Sequence, residues 1–267
     1  MSRAAWGAML LSSIAFVVPS QPAVTIHLIG DSTMADKPDP GRNPERGWGQ
    51  ALPTFVQAGT VVRNHAVNGR STKSFIDQGR WDAVRKALVA GDYVFIQFGH
   101  NDQKTDDSTR YTAPFTAYRR NLERFVREAR AAGATPVLFT SIVRRQFNVK
   151  GTLEDTHGLY PLVVRDVARD LQVPMVDLQL LTEELVQTAG PEASKGFYVF
   201  TAAGEFPAFP LAREDNTHLS PRGARVVAGL AVHALRGLAG PAGVALSRLL
   251  NANAPPGMSP AGHFLHD

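Results

Sequence analysis

The chain has 267 residues, 44% hydrophobic and 19% charged, enough for one substantial core and too apolar for a disordered or collagen-like chain. Lysine and arginine (28) only slightly outnumber aspartate and glutamate (24), and no basic run is interleaved with aromatics, so nucleic acid is not an expected partner. The absence of cysteine excludes a disulfide scaffold, a thiolate-ligated metal and a cysteine nucleophile.

The first stretch reads as an address. Arg3 precedes AAWGAMLLSSIAFVV and PSQPA, and apart from His27 no further charge appears before Asp31. A positive start, a short apolar run and small residues beyond it fit a secretory signal peptide, assigned to residues 1–20. The run is short for a membrane span of about 20 residues. A secreted or periplasmic protein is therefore expected, without stable membrane association after cleavage; an uncleaved anchor is the alternative.

Next comes Val24–Ile29, an apolar run of the kind buried on both faces of a parallel sheet, ending in Gly30-Asp31-Ser32. Thr60–Asn64, Asp92–Phe98, Thr135–Ser141 and Val173–Leu178 repeat the pattern. Between them lie helical segments. RWDAVRKALVAGD reaches its stop at Gly91. APFTAYRRNLERFVREARAAG carries Phe115, Tyr118, Leu122, Phe125 and Val126 on one face and stops at Gly133. TLEDTHGLYPLVVRDVARDLQ has its regular part delayed by Gly158 and Pro161. A last helix opens at Ser220-Pro221, with serine as cap and proline at the first helical position. Residues 239–267, rich in Ala, Gly and Pro, read as a loosely packed tail behind a domain at 24–238.

This alternation predicts an α/β fold of three layers, α/β/α, around a five-stranded parallel sheet of order 2-1-3-4-5. In such sheets ligands sit outside the carboxyl ends of the strands. Ser32 and Asn101 both follow strands at that end.

An acyl-transfer serine site needs a nucleophile, a base, a group that orients the base, and donors for the oxyanion. The chain offers a candidate for each. Ser32 ends strand one. Asp215 and His218, three apart in REDNTHLSPRGA, are read as a loop ahead of a helix, where the carboxylate can meet one imidazole nitrogen. Gly69 in NGRST lets a backbone N–H approach a substrate, and Asn101 in FGHND can turn its amide into the cleft. Singly, each is an ordinary turn; together they converge on one sheet edge. Trp48, between two glycines, either lines the cleft or packs at a helix start. His100 either touches substrate or makes a turn hydrogen bond. The stretch Gly190–Asp215, with its aromatics, either shapes a groove or packs on the core. The other histidines lack ligand spacing, and GDSTMA lacks a dinucleotide fingerprint, so no metal and no cofactor are expected.

GDST, NGRST, GHND and DNTH, in that order, resemble the four blocks of the SGNH (GDSL-type) hydrolase superfamily over roughly Thr25–Leu238, which implies a flavodoxin-like SGNH hydrolase fold. GDSTMADK, GWGQ, NGRSTKSF and FGHNDQK are further similar to rhamnogalacturonan acetylesterase-type carbohydrate esterases; Thr33, where the superfamily motif often has Leu, agrees with that branch. The resemblance implies Ser32 as nucleophile, His218 as base, Asp215 as its orienter, and an oxyanion hole of the Ser32 and Gly69 N–H groups with the Asn101 side chain. It implies a serine esterase that removes O-acetyl groups from a plant cell-wall polysaccharide, most directly pectic rhamnogalacturonan; a monomer is expected. A xylan acetylesterase, lipase or thioesterase on the same framework is the rival, and a non-catalytic carbohydrate-binding protein the alternative of another class.

Overall fold

The computed structural model describes residues 23–207 and 209–251; the expected signal segment and the end of the expected tail lie outside these. Apolar runs form the strands and amphipathic runs the helices, in the order β1 (Thr25–Gly30), α1 (Trp48–Ala51), β2 (Val61–Asn64), α2 (Thr72–Asp77), α3 (Arg80–Ala87), β3 (Tyr93–Gln97), α4 (Arg119–Ala131), β4 (Thr135–Phe139), α5 (Tyr160–Asp170) and β5 (Met175–Val176). Then follow α6 (Leu178–Ala193), β6 (Tyr198–Thr201), β7 (Arg213–Leu219), α7 (Pro221–Arg236) and α8 (Gly240–Ser247).

The first five strands make one parallel sheet of order β2-β1-β3-β4-β5, as expected from the alternation. Because successive strand residues point to opposite faces, Leu28 and Phe95 join a core with Trp48 of α1, Leu185 of α6 and Val227 of α7. Ile29 and Ile96 face the other way, onto Phe75 of α2, Trp81 of α3, Phe125 of α4 and Val163 of α5. The β1–β3 register sets Gly30 opposite Gln97, so the turns that follow both strands open at the same sheet edge.

Four expectations are corrected. The fifth strand stops at Val176 rather than Leu178, because the Asp177 side chain accepts from the Leu180 N–H and caps α6. The helix α6 begins on the residue expected to end that strand and runs through a stretch given no element; it kinks at Gly190, whose φ of 72° precedes Pro191. Asp215 and His218 lie on a strand, not in a loop: β7 pairs antiparallel with β6 in a separate two-stranded sheet. Finally, the segment after 238 is not loosely packed at first. Leu246 and Leu250 are buried, and the Asn251 N–H donates to the Phe55 carbonyl at 2.8 Å, so ordered packing runs to residue 251. The Gly190–Asp215 stretch divides: Phe197 and Tyr198 are buried, whereas Leu211 is exposed.

Candidate active site

The chain leaves β1 through a locked turn. A Cβ on Gly30 would meet the Gln97 carbonyl at 2.7 Å and Met34 Sδ at 2.9 Å, so the backbone passes where no side chain fits. Met34 and Ala35 N–H groups donate back to the Asp31 carbonyl at 3.2 and 3.0 Å. Asp31 Oδ1 accepts from the Thr33 N–H at 2.9 Å and the Thr33 hydroxyl at 2.8 Å. The aspartate is fully buried, which by itself raises its pKa; His100 and the Thr33 bonds outweigh that and hold it below the ordinary carboxylate range. Gly30 and Asp31 are therefore turn chemistry, and what they turn outward is Ser32.

His218 arrives through an irregular strand. Tyr198 pairs with Leu219, but the next residue, Val199, pairs with Asp215, so Asn216–His218 bulge out of β7. Residues three apart on a regular strand face opposite ways; the bulge turns His218 back onto Asp215. Asp215 Oδ1 accepts from the Thr217 and His218 N–H groups at 2.8 and 2.9 Å. Its Oδ2 lies 2.8 Å from His218 Nδ1 and also accepts from Arg213. Burial opposes ionisation of Asp215, but the bonds and charge of His218 prevail and keep it far below its usual pKa. The other imidazole nitrogen, Nε2, is 2.9 Å from Ser32 Oγ. Arg145 clamps the bulge, its N–H on the Asn216 carbonyl at 2.8 Å and its guanidinium on Asn216 Oδ1 at 2.7 Å.

Two further turns carry the donors. Val67–Arg70 closes through an Arg70 N–H to Val67 carbonyl bond of 3.3 Å, with Gly69 at φ 75° in the position of a type II turn that favours glycine. The backbone N–H groups of Ser32 and Gly69 donate to no other group among the described residues, leaving both for a ligand. After β3, Gly99 at φ 142° passes so close to Ser141 that a Cβ would lie 2.4 Å from its hydroxyl. Asn101 follows, one amide hydrogen donated to the Arg70 carbonyl at 3.1 Å and its Oδ1 accepting from Arg110 at 3.4 Å, so its second N–H has no partner among the described residues. Asp102 ties the two turns together, accepting from the Thr72 N–H at 3.0 Å and the Thr112 hydroxyl at 2.7 Å. Burial pushes its pKa up to about 7 despite those bonds.

Of the alternatives left open for Trp48 and His100, the structure excludes the substrate contact. Trp48 is wholly buried, its indole N–H donated to Gln97 Oε1 at 2.6 Å and its ring tilted against Phe139, so it packs at the helix start and does not line the cleft. His100 is 3% exposed, with Nδ1 3.4 Å from Asp31 Oδ2 and its ring edge-on to His157; it lies beneath the nucleophile turn rather than in the cleft. Sequence reasoning missed Glu45, Arg213 and Lys37. Arg213 bridges Asp215 and Glu45, and Lys37 meets both Glu45 at 3.5 Å and Asn68. No local motif announces such contacts, since they join residues about 170 apart in one case. Glu45, Asp215 and His218 bring possible metal-ligating atoms within 4.8 Å of one another; Arg213 pairs with both carboxylates, and Lys37 with Glu45.

The arrangement can serve serine acyl transfer: hydroxyl, imidazole and carboxylate stand in hydrogen-bonded sequence, and the Ser32 and Gly69 N–H groups are unpaired among the described residues. Comparisons agree with that chemistry. Residues 28–226 match the GDSL-like Lipase/Acylhydrolase family. Rhamnogalacturonan acetylesterase RhgT of Bacillus subtilis is 42% identical over 215 residues, 80% of this chain and 90% of that protein. The rhamnogalacturonan acetylesterase of Emericella nidulans is 29% identical over 234 residues, 79% of this chain and 84% of that one. The crystal structure of the Bacillus subtilis protein YxiM superposes with a TM-score of 0.67 at 28% identity, covering 81% of this chain and 58% of that one.

Proposed function

The chain belongs to the GDSL-like lipase/acylhydrolase family and is a carboxylic ester hydrolase, an O-acetyl esterase on the SGNH fold; from that premise we propose that it is a secreted enzyme that deacetylates pectic rhamnogalacturonan, with Ser32, His218 and Asp215 as its catalytic residues. The observation that carries the reading is the hydrogen-bonded line from Ser32 Oγ through His218 to Asp215, at 2.9 and 2.8 Å, assembled from residues 186 apart. The names of the relatives support the substrate class, and the pattern of residues 1–20 supports export.

Ser32 Oγ attacks the acetyl carbonyl carbon while His218 Nε2 takes its proton. Asp215 holds Nδ1–H and balances the imidazolium that forms. The carbonyl oxygen, now negative, accepts from the Ser32 and Gly69 N–H groups and the free Asn101 N–H. The tetrahedral intermediate expels the sugar oxygen, which receives the proton from His218, leaving acetyl-Ser32. Water then gives a proton to His218, its oxygen attacks the acetyl carbon, and a second collapse returns the proton to Ser32 Oγ and releases acetate.

The test is acetate release from acetylated rhamnogalacturonan and from acetylated xylan, with Ser32→Ala in parallel. The reading expects the pectic substrate to be preferred and kcat to fall by about ten-thousand-fold or more in the variant. A preference for xylan would overturn the substrate, and an active variant would overturn the mechanism.

A further inference from the structure

The cations around the donor turns are differently occupied. Lys37 is buried against Asn68 and Glu45, and Arg213 is held between Glu45 and Asp215. Arg70 turns back onto the Asn68 carbonyl and Gln78, and Arg144 onto the His100 and Thr156 carbonyls. Arg110 differs. Its Nε edge is fixed by Asp107, but Nη1 lies 3.4 Å from Asn101 Oδ1, and a Cβ placed on Gly69 would sit 3.8 Å from the same nitrogen. Its guanidinium thus adjoins two of the three oxyanion donors. Nη2 donates to no group among the described residues, and the side chain is 29% exposed. A guanidinium carries five N–H donors in a planar fork; Asp107 and Asn101 together leave three of them free.

We propose that Arg110 binds a carboxylate of the substrate, the C6 carboxylate of a uronate residue whose acetyl ester occupies the oxyanion site, and that it thereby selects acidic over neutral acetylated sugars. The inference rests on the reading of the substrate as a pectic polysaccharide, in which the acetylated sugar carries its own acid group. A sugar ring sets a ring hydroxyl and the C6 carboxylate borne on C5 several ångströms apart, the scale on which Arg110 stands beside the donors. Planar, two-pronged recognition of a carboxylate is what arginine does better than lysine. The tether to Asp107 holds the fork in place and reduces the entropy lost on binding. Arg110 also fixes the Asn101 amide, because a donor on Oδ1 leaves Nδ2 facing the oxyanion, so its removal lowers activity on every ester and most of all on acidic ones.

The experiment compares kcat/KM for an acetylated galacturonate oligosaccharide, the same oligosaccharide with its carboxylates methyl-esterified, and a neutral aryl acetate. The proposal expects the wild type to favour the free acid by tenfold or more, mainly through KM. Arg110→Gln, which keeps an N–H for Asn101, is expected to abolish that preference, losing at least tenfold more on the free acid than on the aryl acetate. Arg110→Lys is expected to regain part of it. Turnover of aryl acetate by the variants reports that they are folded. A preference that survives in Arg110→Gln, or equal losses on all three substrates, overturns the anchor. Failure of the pectic reading shows elsewhere, as wild-type protein that releases acetate from the aryl ester and from acetylated xylan but not from either oligosaccharide.

Discussion

The molecule holds two aspartate–histidine lines, and only one of them meets a hydroxyl. At the carboxyl end of the central sheet, Asp215, His218 and Ser32 are joined at 2.8 and 2.9 Å. In the second line, which starts at Asp92 just before β3 and ends at His65 just after β2, Asp92 Oδ2 lies 3.3 Å from His27 Nε2, and His27 Nδ1 lies 3.0 Å from His65 Nε2, the two rings stacked at an interplanar angle of 6°. The second line ends on an imidazole where the first ends on a hydroxyl. Asp92 also spends its oxygens on structure, accepting from the Thr25 and Val89 N–H groups at 3.1 and 3.0 Å. An oriented imidazole is therefore not a site; the unpaired donors beside Ser32 make the difference. In open parallel sheets loops at the carboxyl ends diverge and leave a crevice.

The sharpest way to break the comparison is to make one substitution in both lines. Asp215→Asn is expected to lower kcat by about ten-thousand-fold, through the wrong imidazole tautomer. Asp92→Asn is expected to leave kcat unchanged and to lower unfolding free energy by about 1–3 kcal/mol, the cost of an unsatisfied buried polar group. Chemical denaturation beside steady-state kinetics separates the two, and a large kcat loss at Asp92 would sink the distinction. Next in size, Asn101→Ala is expected to cost about 2.7–4 kcal/mol of barrier in kcat with little change in KM, since the donor acts on the developing charge. A loss confined to KM would assign Asn101 to ground-state binding.

The smallest effect concerns acid. Burial lowers the pKa of His65 to about 4 and also depresses that of His27, so both stay neutral in the fold where an unfolded histidine, at 6.5, takes a proton. Between pH 6.5 and 4 the unfolded chain binds more protons, and stability falls as pH falls. Asp215 acts in a lower window: its depressed pKa contributes stability above the ordinary aspartate value, lost only below it. His65→Gln is thus expected to flatten the dependence of Tm on pH between 6.5 and 4. A slope unchanged from wild type would place the acid sensitivity elsewhere.

Some of this was legible in the residues. Apolar runs bounded by turn chemistry placed the first four strands, and Gly30-Asp31-Ser32 marked its turn because an aspartate that accepts from residue i+2 is a local device. α6 was not legible, because the run into Leu178 suits a strand as well as a helix until Asp177 is seen to cap it. The β6–β7 pair was hidden for a different reason: REDNTHL does not alternate, and its irregular register exists only against its partner strand. Trp48 showed its glycines but not its neighbours. Gly47 and Gly49 are there because a Cβ on either would run into the backbone around Met34, which carries the tryptophan into the core.

By itself, the sequence determined the α/β alternation and the placing of Ser32, Gly69 and Asn101 after successive strands, because run length, turn residues and caps act over a few positions. Tertiary structure alone decided that the bulge in β7 turns His218 onto Asp215 and toward Ser32. It also decided that Trp48 and His100 are buried, and that Arg213 and Arg110 stand where they do. These depend on register, burial and contacts between distant segments, which a chain acquires only when its faces pack together.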